Sequence, residues 1–322
     1  MNERARISVI GGSPIGCVLS AHLRDAGYEV TLIEDDPEIS AAVREDGVVV
    51  EGSRSLEAKL SGVVATTDEA AREGRQFDLI FVCSRTSKLK RVVASLPLIL
   101  ADDGCAVRFR NGLDTEAPVL EILGPQRCLR AAINFAGNTI SPGKTRMTFF
   151  DPPNHIGAAV PGNAKAETRA RRVVEMMNEA RLDSVFAGDV RIPVWMTAIR
   201  HAAMLPVSAL TGMDVAQVMG SPRSLHLIKR LLSEAIEVAA KVGFHFDQKF
   251  YYDTLTYYLK AGHHMPSMWG DIQKKRPTEI ETLNHKIAEY GELHGVDVSC
   301  HRTVANLILC IDELNELEGD KA

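Results

Sequence analysis

The sequence predicts a two-domain α/β protein, with a parallel sheet in its first part and only helices in its second. Short apolar runs without alternation, at residues 7–10 and 77–83, are typical of strands buried on both faces of a parallel sheet. From Trp195 onward, the apolar residues recur with helical spacing instead. The 322 residues exceed one ordinary compact domain, so we predict an α/β domain over residues 1–188 and an all-helical domain over residues 189–322.

A glycine-rich loop follows the first strand and predicts what the first domain binds. It consists of Gly11, Gly12, Ser13, Pro14, Ile15 and Gly16. A helical stretch then ends at Gly27, and a second strand ends in Glu34. Strand, loop, helix, strand and terminal acid form the βαβ unit of a Rossmann dinucleotide-binding domain, in which the helix N-terminus binds the pyrophosphate. Ser13 replaces the middle glycine of this fingerprint, and the alternative is a phosphate-free turn in another α/β protein.

The acids at the end of the second strand predict NAD rather than NADP as the cofactor. Glu34 is placed to accept hydrogen bonds from the adenosine ribose hydroxyls. With Asp35 and Asp36 it would repel a 2′-phosphate, and no Arg or Lys follows until Arg44. The alternative is that these acids only open the next helix, where carboxylates are common.

Composition narrows the class of protein. An apolar content of 45% and a charged content of 25% are typical of globular proteins, and the net charge of −5 with no basic run argues against a nucleic-acid partner. No apolar stretch approaches 18 residues, so we expect no membrane partner. Six scattered cysteines without metal-ligand spacing predict a reduced, cytoplasmic protein without a metal site, and the neighbours His263 and His264 would not converge on one ion.

The rest of the first domain is predicted from periodicity. We expect strands of an insertion at 47–51 and 57–64, helices at 67–72, 89–100 and 164–181, and strands at 77–83, 105–109, 129–138 and 145–149. Asn111 follows the strand at 105–109. Ligands bind at the carboxyl ends of such strands, so Asn111 is a site candidate, with simple turn formation as the alternative.

The second half is predicted to be a series of helices. They cover 195–204, ended or kinked by Pro206, then 225–242 with Ser221 as N-cap, 250–259, a helix opened by Pro277, and 300–317. On the first of them, Thr197, His201 and Leu205 fall on one line because they are four residues apart.

Residues 267–284, SMWGDIQKKRPTEIETLN, resemble the carboxyl-terminal signature of the ketopantoate reductase (2-dehydropantoate 2-reductase) family. The pattern is kept at Ser267, Met268, Asp271, Thr278, Glu279, Ile280, Leu283 and Asn284. The glycine loop, Asn111-Gly112, and Trp195 followed by Pro206 also match, so the resemblance runs the length of the chain. It implies a Rossmann domain followed by a 6-phosphogluconate-dehydrogenase-like helical domain, an active site in the cleft between them, and a homodimer. The implied reaction is hydride transfer from a nicotinamide cofactor to the ketone of a 2-oxo acid.

The resemblance also implies roles for single residues. Asn111 would lie near the nicotinamide and the substrate, Ser267 would bind the substrate, and Glu279 would support the catalytic centre. Arg85 stands where the family usually has a lysine near the cofactor. Thr197 occupies the position of the family's catalytic lysine, so the chain is similar to a divergent member that lacks it, and Thr197 is a candidate substrate contact.

His201 is the candidate proton donor in place of that lysine. Hydride addition to a ketone makes an alkoxide, which needs an acid within hydrogen-bond reach. A histidine titrates near neutral pH without adjustment, and Glu279 would orient it; the alternative is a histidine that only packs. Three functions stay open: an NAD-linked reductase of 2-oxo acids, a reductase of C=N bonds, and a cofactor-binding protein without reductase activity.

Overall fold

The computed structural model describes residues 5–319 and divides the chain into two compact units. One unit extends to Asn111 and resumes from Thr115 to Pro193. The other takes Gly112–Asp114 and the chain from Val194 onward. None of the helices within residues 5–319 is long and apolar enough to cross a lipid bilayer.

The first unit alternates strands and helices in the Rossmann manner. Its elements are β1 (Arg6–Ile10), α1 (Pro14–Asp25), β2 (Glu29–Ile33), α2 (Pro37–Glu45), β3 (Val48–Gly52), β4 (Leu56–Ala58), β5 (Gly62–Val64), α3 (Thr67–Arg72), β6 (Phe77–Val82), α4 (Thr86–Ala94), α5 (Leu96–Ile99), β7 (Leu100–Arg108), α6 (Ala117–Leu123), β8 (Cys128–Ala132), β9 (Phe135–Ser141), β10 (Lys144–Phe150), β11 (Asn154–Ala158), α7 (Ala164–Glu179) and β12 (Ser184–Phe186).

Eight of these strands form the main sheet, in the order β12-β11-β8-β7-β6-β1-β2-β5. β1 lies between β2 and β6 and is parallel to both, and only the pairing of β11 with β8 is antiparallel. Ile7, Val9 and Phe81 are fully buried, which explains why these strands read as continuous apolar runs. Because β1, β2 and β6 are parallel, their carboxyl ends carry the glycine loop, Glu34 and Arg85 to one edge of the sheet.

A second sheet, in the order β4-β3-β10-β9, corrects two predicted strands, and one predicted helix is divided as well. Residues 57–64 are not one strand of an insertion, because β4 pairs with β3 in the small sheet whereas β5 pairs with β2 in the main sheet. Residues 129–138 divide in the same way into β8 and β9. An apolar run predicts that a segment is buried, but it does not show that the first and second halves of the segment pair with strands of different sheets. Residues 89–100 are likewise not one helix, since α4 and α5 are separated at Ser95 and Leu100 already belongs to β7.

All elements of the described part of the second unit are helical. They are α8 (Arg191–Thr211), whose first turn belongs to the first unit, α9 (Val215–Gly220), α10 (Pro222–Lys241), α11 (Gln248–Ala261), α12 (Ser267–Gln273), a 3-10 turn (Ile280–Thr282), α13 (Asn284–Leu293) and α14 (Ser299–Gly319). No helix begins at Pro277. The next residue, Thr278, is instead held by Asp312 of α14, which accepts hydrogen bonds from its backbone N (3.2 Å) and its hydroxyl (2.6 Å).

Of the two effects predicted for Pro206, an end or a kink of the helix, the end does not occur, because α8 continues to Thr211. Proline has no N–H to donate to the carbonyl four residues earlier, here that of Ala202. The side chain of Asn284 supplies this donor, with its Nδ2 at 2.8 Å from the Ala202 oxygen. The same Nδ2 lies 3.1 Å from Nδ1 of the fully buried His301, and Nε2 of His301 lies 2.9 Å from the Leu231 oxygen. This network satisfies the carbonyl that the proline leaves without a helical partner.

We expect Asn284→Leu to cost about 1–3 kcal/mol of unfolding free energy, since it leaves buried polar groups unpaired. In a Pro206→Ala background, the new N–H of residue 206 can bond to Ala202, so the same substitution should cost about 1 kcal/mol less. Chemical denaturation of the four variants of this double-mutant cycle measures the difference. An equal cost in both backgrounds would show that Asn284 does not compensate for the proline.

Candidate active site

The glycine loop is built by close approaches that only glycine permits. Gly11 has a φ of +107°, and its N–H donates to the Ile33 carbonyl at 2.9 Å. A Cβ added to Gly16 would lie far inside van der Waals contact with the Gly11 carbonyl oxygen. Ser13 is the N-cap of α1, and its Oγ accepts a long hydrogen bond of 3.4 Å from the Gly16 N–H. Pro14 follows as the first helical residue, where its missing N–H costs nothing.

Glu34 is packed against this loop. Its side chain is 8% exposed, Oε2 accepts a hydrogen bond from the Gly12 N–H, and Oε1 accepts one from the Asp36 N–H at 2.9 Å. A Cβ on Gly12 would lie 3.0 Å from Oε2 of Glu34. Burial raises the pKa of Glu34, although the two backbone hydrogen bonds oppose this shift. The loop and the carboxylate thus form one cradle, which fits the pyrophosphate and ribose of a dinucleotide.

The neighbouring Asp35 has a cationic partner that the sequence did not reveal. Lys88 of α4 places its Nζ 2.5 Å from Oδ1 of Asp35, and this hydrogen bond lowers the pKa of Asp35 against the opposing effect of burial. Although no Arg or Lys follows Asp36 in the sequence until Arg44, the fold therefore places a positive charge next to these acids. The positive charge of Lys88 is, however, already paired with a carboxylate.

Two further residues predicted to bind the cofactor, Arg85 and Asn111, lie at the ends of secondary-structure elements of the first unit. Arg85 is half-buried and occupies the N-cap position of α4. The Asn111 side chain bonds twice to the residue that follows β8, donating from Nδ2 to the Ile133 carbonyl (3.0 Å) and accepting at Oδ1 from the Ile133 N–H (2.9 Å). Asn111 therefore fixes the end of β7 to the residue that follows β8, and its role in binding a ligand stays a prediction.

In the second unit, the predicted site residues of α8 differ in how accessible they are. Thr197 is 4% exposed, and its hydroxyl donates to the Val194 carbonyl at 2.9 Å within the same helix. His201, one turn further on, is half-buried, and neither ring nitrogen has a hydrogen-bond partner within residues 5–319. An imidazole with unpartnered nitrogens is available to a ligand, whereas the Thr197 hydroxyl already has a helical partner.

The near-neutral pKa expected for His201 is wrong for this chain. Burial lowers the pKa of His201 to about 4. The carboxylate of Glu279 acts in the opposite direction, and the charges of Arg200 and His264 act in the same direction as burial. Desolvation of the imidazolium thus outweighs the attraction of one carboxylate, and at neutral pH His201 is a neutral imidazole.

The structure brings Glu279 into electrostatic range of His201, but Ser267 has no bond to either. Glu279 is half-buried just before the 3-10 turn, and its backbone carbonyl accepts from the N–H and the hydroxyl of Thr282, both at 3.2 Å. Ser267 is the exposed first residue of α12, and its hydroxyl makes no hydrogen bond in the described chain. His263, which precedes α12, has its Nδ1 at 2.9 Å from Oδ2 of Asp214. Residues 5–319 contain no cluster of three or more metal-ligating side chains.

Two residues of this region have no role in the site predicted from the sequence. Arg200 lies about 100° around the helix from His201. It nevertheless follows Thr197 by three residues, which places the two on one side of α8. His264 is half-buried, and its Nδ1 is buried without a hydrogen-bond partner in the described chain. The spacing of three residues from Thr197 was the available signal for Arg200, whereas the sequence drew attention to His264 only as the neighbour of His263.

Comparison with known proteins gives family matches in both units. The model described as Ketopantoate reductase PanE/ApbA matches residues 7–160, and Ketopantoate reductase PanE/ApbA C terminal matches residues 189–311. A 2-dehydropantoate 2-reductase of Streptococcus pyogenes serotype M3 is 23% identical over 308 residues, covering 94% of this chain and 96% of that protein.

Two solved structures show the same fold at low sequence identity. D-mandelate dehydrogenase with NADH and anilino(oxo)acetate superposes with a TM-score of 0.86 at 19% identity, covering 97% of this chain and 99% of that one. A dimeric ketopantoate reductase from Staphylococcus aureus gives a TM-score of 0.78 at 17% identity, with coverages of 96% and 99%.

Proposed function

Because the chain belongs to the ketopantoate reductase family, we propose that it is a nicotinamide-dependent oxidoreductase that interconverts a 2-oxo acid and the corresponding 2-hydroxy acid. The glycine loop and Glu34 would hold the cofactor, which supplies the hydride when bound. Arg85 and Asn111 are the further cofactor candidates, and Ser267 and Thr197 the candidate substrate contacts. We propose NAD, since the cradle carries acids, and the related mandelate dehydrogenase was solved with NADH.

The observation that carries this proposal is the state of His201, whose ring nitrogens have no hydrogen-bond partner among the described residues and on whose pKa the Glu279 carboxylate acts. Reduction of a ketone leaves an alkoxide that must take up one proton. His201 would hold that proton at a ring nitrogen that bonds to the substrate oxygen. An anionic substrate favours the charged imidazolium, so binding would raise the pKa of His201 from its low value in the free protein.

NADH oxidation separates this function from its alternatives. A panel of 2-oxo acids, including ketopantoate and phenylglyoxylate, is offered with NADH in the absence and the presence of amines. Turnover with a 2-oxo acid alone supports the proposal. Turnover only when an amine is present would instead indicate the reductase of C=N bonds. NADH binding without turnover under any condition would indicate a cofactor-binding protein.

NADH should bind at least about tenfold more tightly than NADPH, because a phosphate facing Glu34 and Asp35 loses more than about 1.4 kcal/mol. Asp35→Asn removes the carboxylate that pairs with Lys88, so the Lys88 ammonium could bind the 2′-phosphate of NADPH. The preference for NADH over NADPH should therefore become smaller in this variant. Glu38→Gln, an exposed acid of the first turn of α2, is the matched control. Titration calorimetry measures the affinity of each of the three proteins for NADH and for NADPH. Equal binding of NADH and NADPH by the unmodified protein would contradict this role of the acids.

We further propose a homodimer, supported by the dimeric relative from Staphylococcus aureus. Light scattering tests it, with an expected mass of about 70 kDa, twice the 35.2 kDa of one chain. A cytoplasmic location without nucleic-acid or membrane partners, and the domain boundary after residue 188, remain predictions from the sequence.

A further inference from the structure

Arg200 packs on aromatic rings of the second unit and forms no ion pair with a carboxylate of residues 5–319. Its guanidinium carbon lies 4.6 Å from the ring centroid of Tyr257 and 5.4 Å from that of Phe250. Its Nε donates a long hydrogen bond of 3.4 Å to the Thr254 hydroxyl, and its backbone carbonyl accepts one of 2.6 Å from the Tyr258 hydroxyl. Helix α11 therefore fixes both the side chain and the backbone of Arg200.

The other cations of a folded surface are usually paired or fully solvated, but Arg200 is neither. It is half-buried, and no carboxylate of residues 5–319 lies within ion-pair distance of it. Stacking on aromatic faces stabilises a guanidinium, and its N–H groups, which lie in the plane of the guanidinium, can still donate hydrogen bonds. The terminal nitrogens of Arg200, Nη1 and Nη2, make no hydrogen bond in the described chain.

The position of Arg200 relates it to the proposed catalytic residues. It precedes His201 directly and follows Thr197 by three residues on α8, and its charge is close enough to act on the His201 ring. A substrate whose ketone oxygen meets His201 carries its carboxylate one carbon away. An anion receptor is therefore needed within a few ångströms of His201, and Arg200, its neighbour on α8, is a half-buried cation without a carboxylate partner in residues 5–319.

We propose that Arg200 binds the substrate carboxylate in a bidentate salt bridge, and that this interaction selects 2-oxo acids over uncharged ketones. This inference rests on the proposed function and assigns its specificity to one residue. A guanidinium matches a carboxylate with two parallel N–H donors, and stacking on Tyr257 and Phe250 reduces the side-chain freedom lost on binding. Lysine at this position would keep the charge but lose the planar geometry.

The test compares a 2-oxo acid with its primary 2-oxo amide, which has nearly the same shape but no charge. Arg200→Met should lower kcat/KM for the acid by about 30-fold or more, the loss expected for charge-assisted hydrogen bonds, and change that for the amide by less than about threefold. Arg200→Lys should give an intermediate loss for the acid. NADH affinity, titrated without substrate, should not change. Arg223→Met, an exposed arginine of α10, is the matched control for net charge and should leave both substrates unaffected.

The outcomes separate the two proposals. If the unmodified protein reduces no 2-oxo acid, the proposed function and this inference both fail. If it reduces 2-oxo acids and Arg200→Met lowers acid and amide equally, or neither, the function stands and the role of Arg200 is overturned. Should Arg200→Met not fold, the same ratio measured with Arg200→Lys decides, because a lost preference for the acid supports the role and an unchanged preference contradicts it.

Discussion

Replacing His201 by asparagine should lower the turnover number for 2-oxo acid reduction by about 10²-fold or more, the usual contribution of a positioned acid–base group. Asparagine keeps a hydrogen-bonding amide at this position but cannot supply a proton. If His201 takes the place of the family's lysine, adding Thr197→Lys to this variant should recover part of the activity. Steady-state kinetics with a confirmed substrate measure both effects.

The pH dependence of this step has a definite sign. Burial holds the pKa of His201 at about 4, so its protonated fraction in the free protein falls as pH rises above that value. The profile of kcat/KM for reduction, which reports free groups, should therefore decline from acid pH toward neutral. The profile of kcat should break at a higher pH, because the bound anion raises the pKa of His201.

A surface histidine provides the control for this prediction. His226 is exposed on α10, and His226→Asn should have the turnover and pH profiles of the unmodified protein. If His201→Asn behaves in the same way as His226→Asn, then His201 only packs, and the proton comes from Glu279, water or the substrate.

Gly16→Ala should weaken NADH binding by about 10- to 100-fold. The new methyl group would overlap the Gly11 carbonyl oxygen, so the loop and the start of α1 must separate, at a cost of about 1–3 kcal/mol. Backbone rather than a flexible side chain blocks the methyl group, which makes relaxation expensive. Fluorescence titration with NADH measures the affinity, and thermal unfolding reports the accompanying loss of stability.

Gly188→Ala is the matched control, because nothing lies within 4 Å of a Cβ at Gly188 and its φ is not positive. It should leave NADH affinity within about twofold, since alanine fits an open position without strain. An unchanged affinity in Gly16→Ala, with the loop still ordered, would mean that this loop does not bind the cofactor.

Local sequence signals were sufficient to predict the first βαβ unit with its glycine loop. Ser13, Pro14 and Gly16 act over a few residues, so their consequences for the loop and for α1 could be predicted without knowing the fold. Residues 67–72 were predicted as a helix and form α3 for the same reason, with the Thr66 hydroxyl capping its N-terminus. The two-domain architecture followed from the change of periodicity along the chain.

Features that depend on distant partners could not be predicted. The helix through Pro206 needs Asn284, which is 82 residues from the carbonyl it satisfies, and Lys88 meets Asp35 across 53 residues. The pKa of His201 depends on how much protein surrounds it, a quantity that helical spacing does not contain. The sequence therefore predicted candidate residues for the site, but neither the low pKa of His201 nor the ion pair of Asp35 with Lys88.

The most direct test of the proposed function follows the hydride itself. NADH carrying deuterium at both C4 positions is incubated with the protein and a 2-oxo acid, and the products are analysed by mass spectrometry. The proposal predicts a 2-hydroxy acid one mass unit heavier than that made with ordinary NADH, with the deuterium at C2. Failure to form a deuterated 2-hydroxy acid from any 2-oxo acid tested would contradict it, and a deuterated amino acid made only in the presence of amine would assign the chain to C=N reduction instead.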